Sequence, residues 1–163
     1  MNHPLVEKGL GTNSGLAGIA LRLPAGIIFA AHGSQKLFGA FGGYGLEGTG
    51  QWMASIGLEP GYLMALAAGS AEFLGGIAIL VGVLTRPAAL VLAFTMLVAI
   101  LSVHIQNGLF MSNNGYEFGL SLMAIAVALV FNGAGAFSVD RWISNRNSRS
   151  DGSSADAGAL SSQ

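Results

Sequence analysis

Six ionisable side chains stand out because apolar sequence surrounds them: Arg22, His32, Lys36, Glu72, His104 and Glu117. His32 and Lys36 are four residues apart, so on a helix they share a face. An imidazole and an ammonium on one face can bind an oxyanion or the carbonyl oxygens of a quinone. Glu72 sits in Ala71-Glu72-Phe73-Leu74-Gly75-Gly76. A lone carboxylate in such a run must be protonated or paired, and Arg22 and His32 are the expected partners. His32 and His104 fall at similar depth on two helices that run the same way. Two imidazoles so placed could hydrogen-bond a quinone or hold a haem b. Without a third ligand or a metal motif they favour the quinone over haem b, and no metal site is expected. Glu72, His32 and His104 are therefore the candidate catalytic residues, and Lys36, Glu117 and Arg22 the candidate substrate-binding residues. Each has a plainer role as well. Lys36 can extend to a membrane interface, His32 can bond a neighbouring helix, and Glu72 can belong to a structural ion pair. Glu117 can serve as a first-turn acid that favours the helix dipole.

The elements that must position these groups follow from where charge is missing. There is no Lys, Arg, Asp or Glu from Pro87 to Val103 or from Phe118 to Val139, and between Pro60 and Thr85 the one charge is Glu72. A hydrocarbon core of about 30 Å needs about 20 mostly apolar residues as a helix. Four segments qualify, at about 16–38, 61–84, 87–107 and 116–136. The first is interrupted by Arg22, Pro24 and His32. Those interruptions also argue against a cleaved signal peptide, despite the small residues at Phe29-Ala30-Ala31.

Loop charges supply the orientation. Lys8 precedes the first segment, Arg86 lies between the second and third, and Arg141, Arg146 and Arg149 follow the fourth. The loop at 39–60 has Glu47 and Glu59 but no basic residue, and 108–115 has no charge. Basic residues thus alternate onto one side, which places both termini in the cytoplasm of a multi-pass protein of the bacterial inner membrane. Within the first outer loop, Trp52, Met53 and Ile56 recur at helical spacing and Gly57 can end the helix, so a short interfacial helix is expected. Asp140-Arg141-Trp142 reads as an anchor at the inner interface. Residues 1–15 read as a flexible N-terminus, 16–143 as one membrane domain, and 144–163, rich in Ser, Asp, Gly and Ala, as a disordered tail.

Composition agrees. Of 163 residues only 9% are charged while 52% are apolar. A soluble domain carries about 25% charged residues. Mean hydropathy is +0.61. The expected fold is therefore an all-α integral membrane four-helix bundle with the lipid bilayer as its first partner. Net charge is −1, so nucleic acid is not an expected partner. Cysteine is absent, which excludes disulfides and thiol chemistry within the chain.

Taken as a set, these motifs resemble the DoxX family of small four-span bacterial membrane proteins. The likeness is carried by Arg22 with His32-Gly33-Ser34-Gln35-Lys36-Leu37-Phe38, and by Glu72-Phe73-Leu74-Gly75-Gly76. It continues through Gly82-Val83-Leu84-Thr85-Arg86, His104, Gly115-Tyr116-Glu117 and Ser138-Val139-Asp140-Arg141. It covers about residues 15–143. The resemblance implies an inner-membrane bundle with an oxidoreductase role. Relatives of that family include the membrane subunit of a thiosulfate:quinone oxidoreductase and proteins linked to quinone, catechol or thiol stress.

Three functions fit. In the first, a quinone-linked oxidoreductase subunit binds its substrate in a polar pocket open to the outer side. Electrons come from a soluble or membrane redox partner, and Lys36 attracts an anionic reductant such as thiosulfate. In the second, the chain is a non-enzymatic partner or assembly factor of a redox or stress complex, and the polar cluster specifies packing. In the third, it is a small proton-coupled transporter built around Glu72, for which four spans would require a homodimer.

Overall fold

A computed structural model describes residues 15–146. The expected flexible segment and tail, at 1–15 and 144–163, fall almost entirely outside the described residues. Every regular element among these is helical. Helix α1 spans Leu16–Phe38, α2 Gly45–Ser55, α3 Gly61–Val81, α4 Thr85–Ala99 and α5 Glu117–Asn132. Helix α4 runs on through a π turn at Ile100–His104 and a 3-10 turn at Ile105–Asn107. Residues 139–146 are helical as well.

Three helices, Leu16–Phe38, Gly61–Val81 and Thr85–Asn107, are long and apolar enough to cross a membrane. Helix α5 is apolar but has 16 residues, which gives about 24 Å at 1.5 Å per residue. The expected segments are trimmed by backbone conformation. Gly82 and Leu84 take left-handed φ values of 77° and 47°, so α3 stops at Val81 and α4 starts before Pro87. Pro87 then stands in a first turn, where its missing N–H costs nothing. Gly133, with φ of 75°, ends α5 four residues after Leu129, whose carbonyl accepts its N–H.

The apolar helices α1, α3, α4 and α5 pack around one core, α1 chiefly on α3 and α4 chiefly on α5. Phe29, Ile79, Leu92, Met96, Leu122 and Leu129 fill the core. The outward faces are apolar too: Leu74, Leu90, Phe94 and Phe131 are between 61% and 73% exposed. A continuous apolar exterior of this kind needs a hydrocarbon surround rather than water.

The α1–α3 seam is drawn to backbone contact by glycine. A Cβ added at Gly33 would fall on the backbone of Phe73, and one at Gly76 on the backbone of Ala30. Small residues at such a seam let helices approach where lipid supplies no hydrophobic drive between them. The short helix α2 forms in the first loop as expected. Its Thr49 and Met53 are buried against the rest of the protein while Trp52 and Ile56 are exposed.

Candidate functional site

The tight α1–α3 seam sets the register of everything polar near it. Gly69 lies level with Lys36 and Leu37: a Cβ there would sit 3.2 Å from Lys36 Cβ and 2.8 Å from Leu37 Cδ2. One turn further along α3, the Lys36 ammonium meets Glu72 Oε2 at 2.5 Å. The Glu72 side chain is 4% exposed and that of Lys36 24%. The partner of Glu72 is thus Lys36, where the sequence pointed to Arg22 or His32. Lys36 accordingly turns into the protein instead of extending to an interface. The edge-to-face pair of Phe38 and Phe73, with centroids 5.3 Å apart, packs across the same seam. Thr49 of α2 reaches the Lys36 carbonyl through its hydroxyl at 3.5 Å, so α2 covers the end of α1.

His32 lies one turn before Lys36. Its ring sits 6.0 Å from that of Phe118, tilted by 51°. This contact joins α1 to the first turn of α5, beside Glu117. The other two candidates serve the loop at 108–115. His104 Nδ1 is 2.8 Å from the carbonyl of Asn114. A ring nitrogen facing a carbonyl must carry the proton, which leaves Nε2 as the acceptor of the neutral ring. Asn107 donates to the same carbonyl at 3.3 Å. Glu117 Oε1 accepts the Met111 N–H at 2.6 Å. His104 and Glu117 thereby hold one loop from two sides.

Arg22 belongs to the other end of the protein. It lies 14 residues before Lys36 on α1, about 21 Å along the axis. It is 3% exposed. Its guanidinium donates to the carbonyls of Leu80, Ala136 and Phe137, and so fastens α1 to α3 and to the segment after α5. Arg22 therefore stands apart from Glu72 and Lys36.

Asp140 is the residue that sequence reasoning missed. Expected at an interface, it is instead 3% exposed. Its Oδ1 accepts the Leu84 N–H at 2.8 Å and its Oδ2 the Thr85 N–H at 2.9 Å. The carboxylate caps α4 from 55 and 56 residues away, which no local pattern could reveal.

The described residues form hollows at two places away from these side chains. One, of about 330 Å³, lies between α2 and the start of α3 and includes Glu47, Gln51 and Glu59. The other, of about 400 Å³, is an apolar groove between α3 and α4 that includes Leu74, Gly75 and Val91. Neither is lined by His32, Lys36, Glu72, His104 or Glu117. Among the described residues, no three of His, Asp and Glu gather as a metal-binding group.

Apolar helices with a hydrocarbon-ready exterior, locked at one end by Arg22 and Asp140 and holding a buried Lys–Glu pair nearer the other, define a helical membrane protein. Within that class the chain belongs to the DoxX family, whose model matches residues 17–105. That match contains Arg22, His32, Lys36, Glu72 and His104. A Bacillus subtilis (strain 168) protein named "Putative oxidoreductase CatD" is 36% identical over 111 residues, 68% of this chain and 76% of that protein. An Escherichia coli (strain K12) protein named "Inner membrane protein YqjF" is 35% identical over 134 residues, 78% of this chain and 92% of its own length. An uncharacterised protein of Haemophilus influenzae is 32% identical over 127 residues, covering 74% of this chain and 85% of that one. No solved structure matches the chain significantly.

Proposed function

We propose that this DoxX-family protein is a four-span subunit of the bacterial inner membrane that binds a quinone beside the Lys36–Glu72 pair and supports its reduction. The observation that carries the reading is the pair itself, an ammonium and a carboxylate held at 2.5 Å inside an apolar helix seam. Ionisable groups at such depth are costly and mark function by default. Because Glu72 neutralises Lys36, the pair presents no net charge to an anionic reductant such as thiosulfate. A neutral quinone suits it better. The more exposed ammonium can donate to a carbonyl oxygen, and the carboxylate can relay the protons that accompany two electrons. His32, one turn before Lys36 on α1, is a further polar group for the quinone. With no cysteine in the chain, electrons pass to the quinone from a reductant directly or from a cofactor held by a partner. The names of the B. subtilis and E. coli relatives support the oxidoreductase and inner-membrane parts of this reading.

Purified protein in lipid discs is expected to bind a short-chain naphthoquinone saturably and to yield quinone on organic extraction. It is also expected to oxidise a reductant in a quinone-dependent way. Folded protein with neither extractable quinone nor turnover with any donor would overturn the reading.

The topology has its own test, helped by the absence of native cysteine. A cysteine placed at Tyr44 should react with an impermeant maleimide on spheroplasts, whereas one at Asn145 should react only after lysis. The reverse pattern would invert the assignment of sides.

A second reading has an observation in its favour. His104 and Glu117 are both engaged in holding the 108–115 loop, as expected of a packing network in a non-enzymatic membrane partner. Substitutions at His104 would then lower protein abundance and leave turnover per molecule unchanged.

A further inference from the structure

We infer that the end of the protein opposite the Lys36–Glu72 pair carries a binding surface for anionic phospholipid, built on residues 139–146. The charge at this end is one-sided. Around Arg22, the α3–α4 turn and the segment after α5, the described residues hold four arginines, Arg22, Arg86, Arg141 and Arg146, against one acid, Asp140. That acid is turned inward. Asp140 is buried, and each of its carboxylate oxygens accepts a backbone N–H at the start of α4. Its charge is held inside the protein, where it faces that of Arg22. Arg22 is likewise consumed by three carbonyls inside the protein. Arg141 and Arg146 remain exposed on the 139–146 helix.

The apolar surroundings match this charge. Trp142 is 62% exposed and Phe137 83%. The Arg146 guanidinium lies over the Trp142 ring, 5.4 Å from its centroid. An indole at the acyl boundary with a guanidinium stacked on it places an apolar surface and a cation on the two sides of the headgroup level. The helix is also fixed in place. Ser138 starts it by accepting the Arg141 N–H on its hydroxyl and the Trp142 N–H on its carbonyl, and Asp140 ties it to α4. The cations are thus presented on a rigid element instead of a loose tail. A guanidinium fork matches the paired oxygens of a phosphodiester. With no exposed acid at this end among the described residues, a headgroup of net negative charge is favoured over a zwitterionic one.

The test uses the full chain carrying Trp52→Phe, so that Trp142 is the single tryptophan reporter. Acyl-brominated phosphatidylglycerol or phosphatidylcholine is titrated into the detergent-solubilised protein, and quenching of Trp142 is recorded. Half-quenching is expected at about thirtyfold lower mole fraction for the anionic lipid, since each of the two arginines near a headgroup layer contributes about 1 kcal/mol. The preference should vanish in Arg141→Gln/Arg146→Gln and at about 1 M salt, where the screening length is about 3 Å. It should persist in Arg141→Lys/Arg146→Lys, which separates charge from any effect on the helix. Equal quenching by the two lipids would overturn the inference, as would a preference that survives the double Gln substitution.

Discussion

Lys36→Ala is expected to be among the most damaging single substitutions in this protein, lowering stability by about 3–5 kcal/mol. The reason lies in the asymmetry of the pair. Glu72 is 4% exposed and Lys36 is 24% exposed. Removing the lysine leaves a carboxylate sealed in the α1–α3 seam with no partner, so it must take up a proton or draw in water. Removing the charge of the glutamate is milder. Glu72→Gln keeps the shape and a carbonyl oxygen for the ammonium, and the lysine it leaves has a route to solvent. Replacing both, as Lys36→Met/Glu72→Leu, should recover most of the loss, because apolar residues of similar volume commonly substitute for buried ion pairs without penalty. Thermal unfolding in detergent and abundance in membranes give the ranking. Quinone binding gives the discrimination: the double variant should be well folded and empty. If it binds quinone as the natural chain does, the pair is structural and the proposed site is wrong. If Lys36→Ala is as stable as the natural chain, the pair carries no buried charge to speak of.

Charge gaps in the sequence located the helices, and the family likeness pointed to the residues worth watching. What remained hidden was which of them meet. Lys36 stands two residues from the end of α1, so sequence counting puts it at an outer interface. Glu72 stands well inside α3, eleven residues after its first. They meet because the helices are staggered. The glycine contacts pair Gly69 with Leu37 and Gly33 with Phe73, so the first two turns of α3 rise past the end of α1. They pack instead on α2, where a Cβ at Gly50 would sit 3.0 Å from Tyr62 Cα. Helix α2 covers the step. The stagger is a property of backbone fit between two glycine-bearing faces, and neither sequence alone encodes it visibly.

His104 illustrates a second limit. Its placement beside His32 rests on counting regular α-helical turns. The π turn at Ile100–His104 inserts extra residue into that count. One added residue rotates every later side chain by about 100° relative to the regular wheel. His104 thereby reaches the Asn114 carbonyl across the loop. π turns of this kind recur at functional sites because they redirect a side chain without breaking the helix. Asp140 marks the third limit, a contact between segments distant in the chain.

The stagger itself yields the other large expected effect. Gly33→Ala places a methyl group on the backbone of Phe73, which has no side-chain freedom with which to yield. Helix α1 must move away from α3 where Lys36 reaches for Glu72. Gly76→Ala creates a comparable clash against the Ala30 backbone, but further from the pair. Both substitutions should therefore cost about 1–3 kcal/mol through overpacking. Their functional consequences should differ. A displacement of about 1 Å at a group that positions a reacting molecule can cost about 10²-fold in rate. Gly33→Ala should thus lower quinone turnover per folded molecule by about that factor, while Gly76→Ala should lower the amount of folded protein and leave turnover per molecule within a few-fold. Measuring folded fraction and rate on the same preparations separates the two. Equal losses of turnover in both variants would mean that the seam matters as a whole and that the Lys36–Glu72 neighbourhood has no special claim on the substrate.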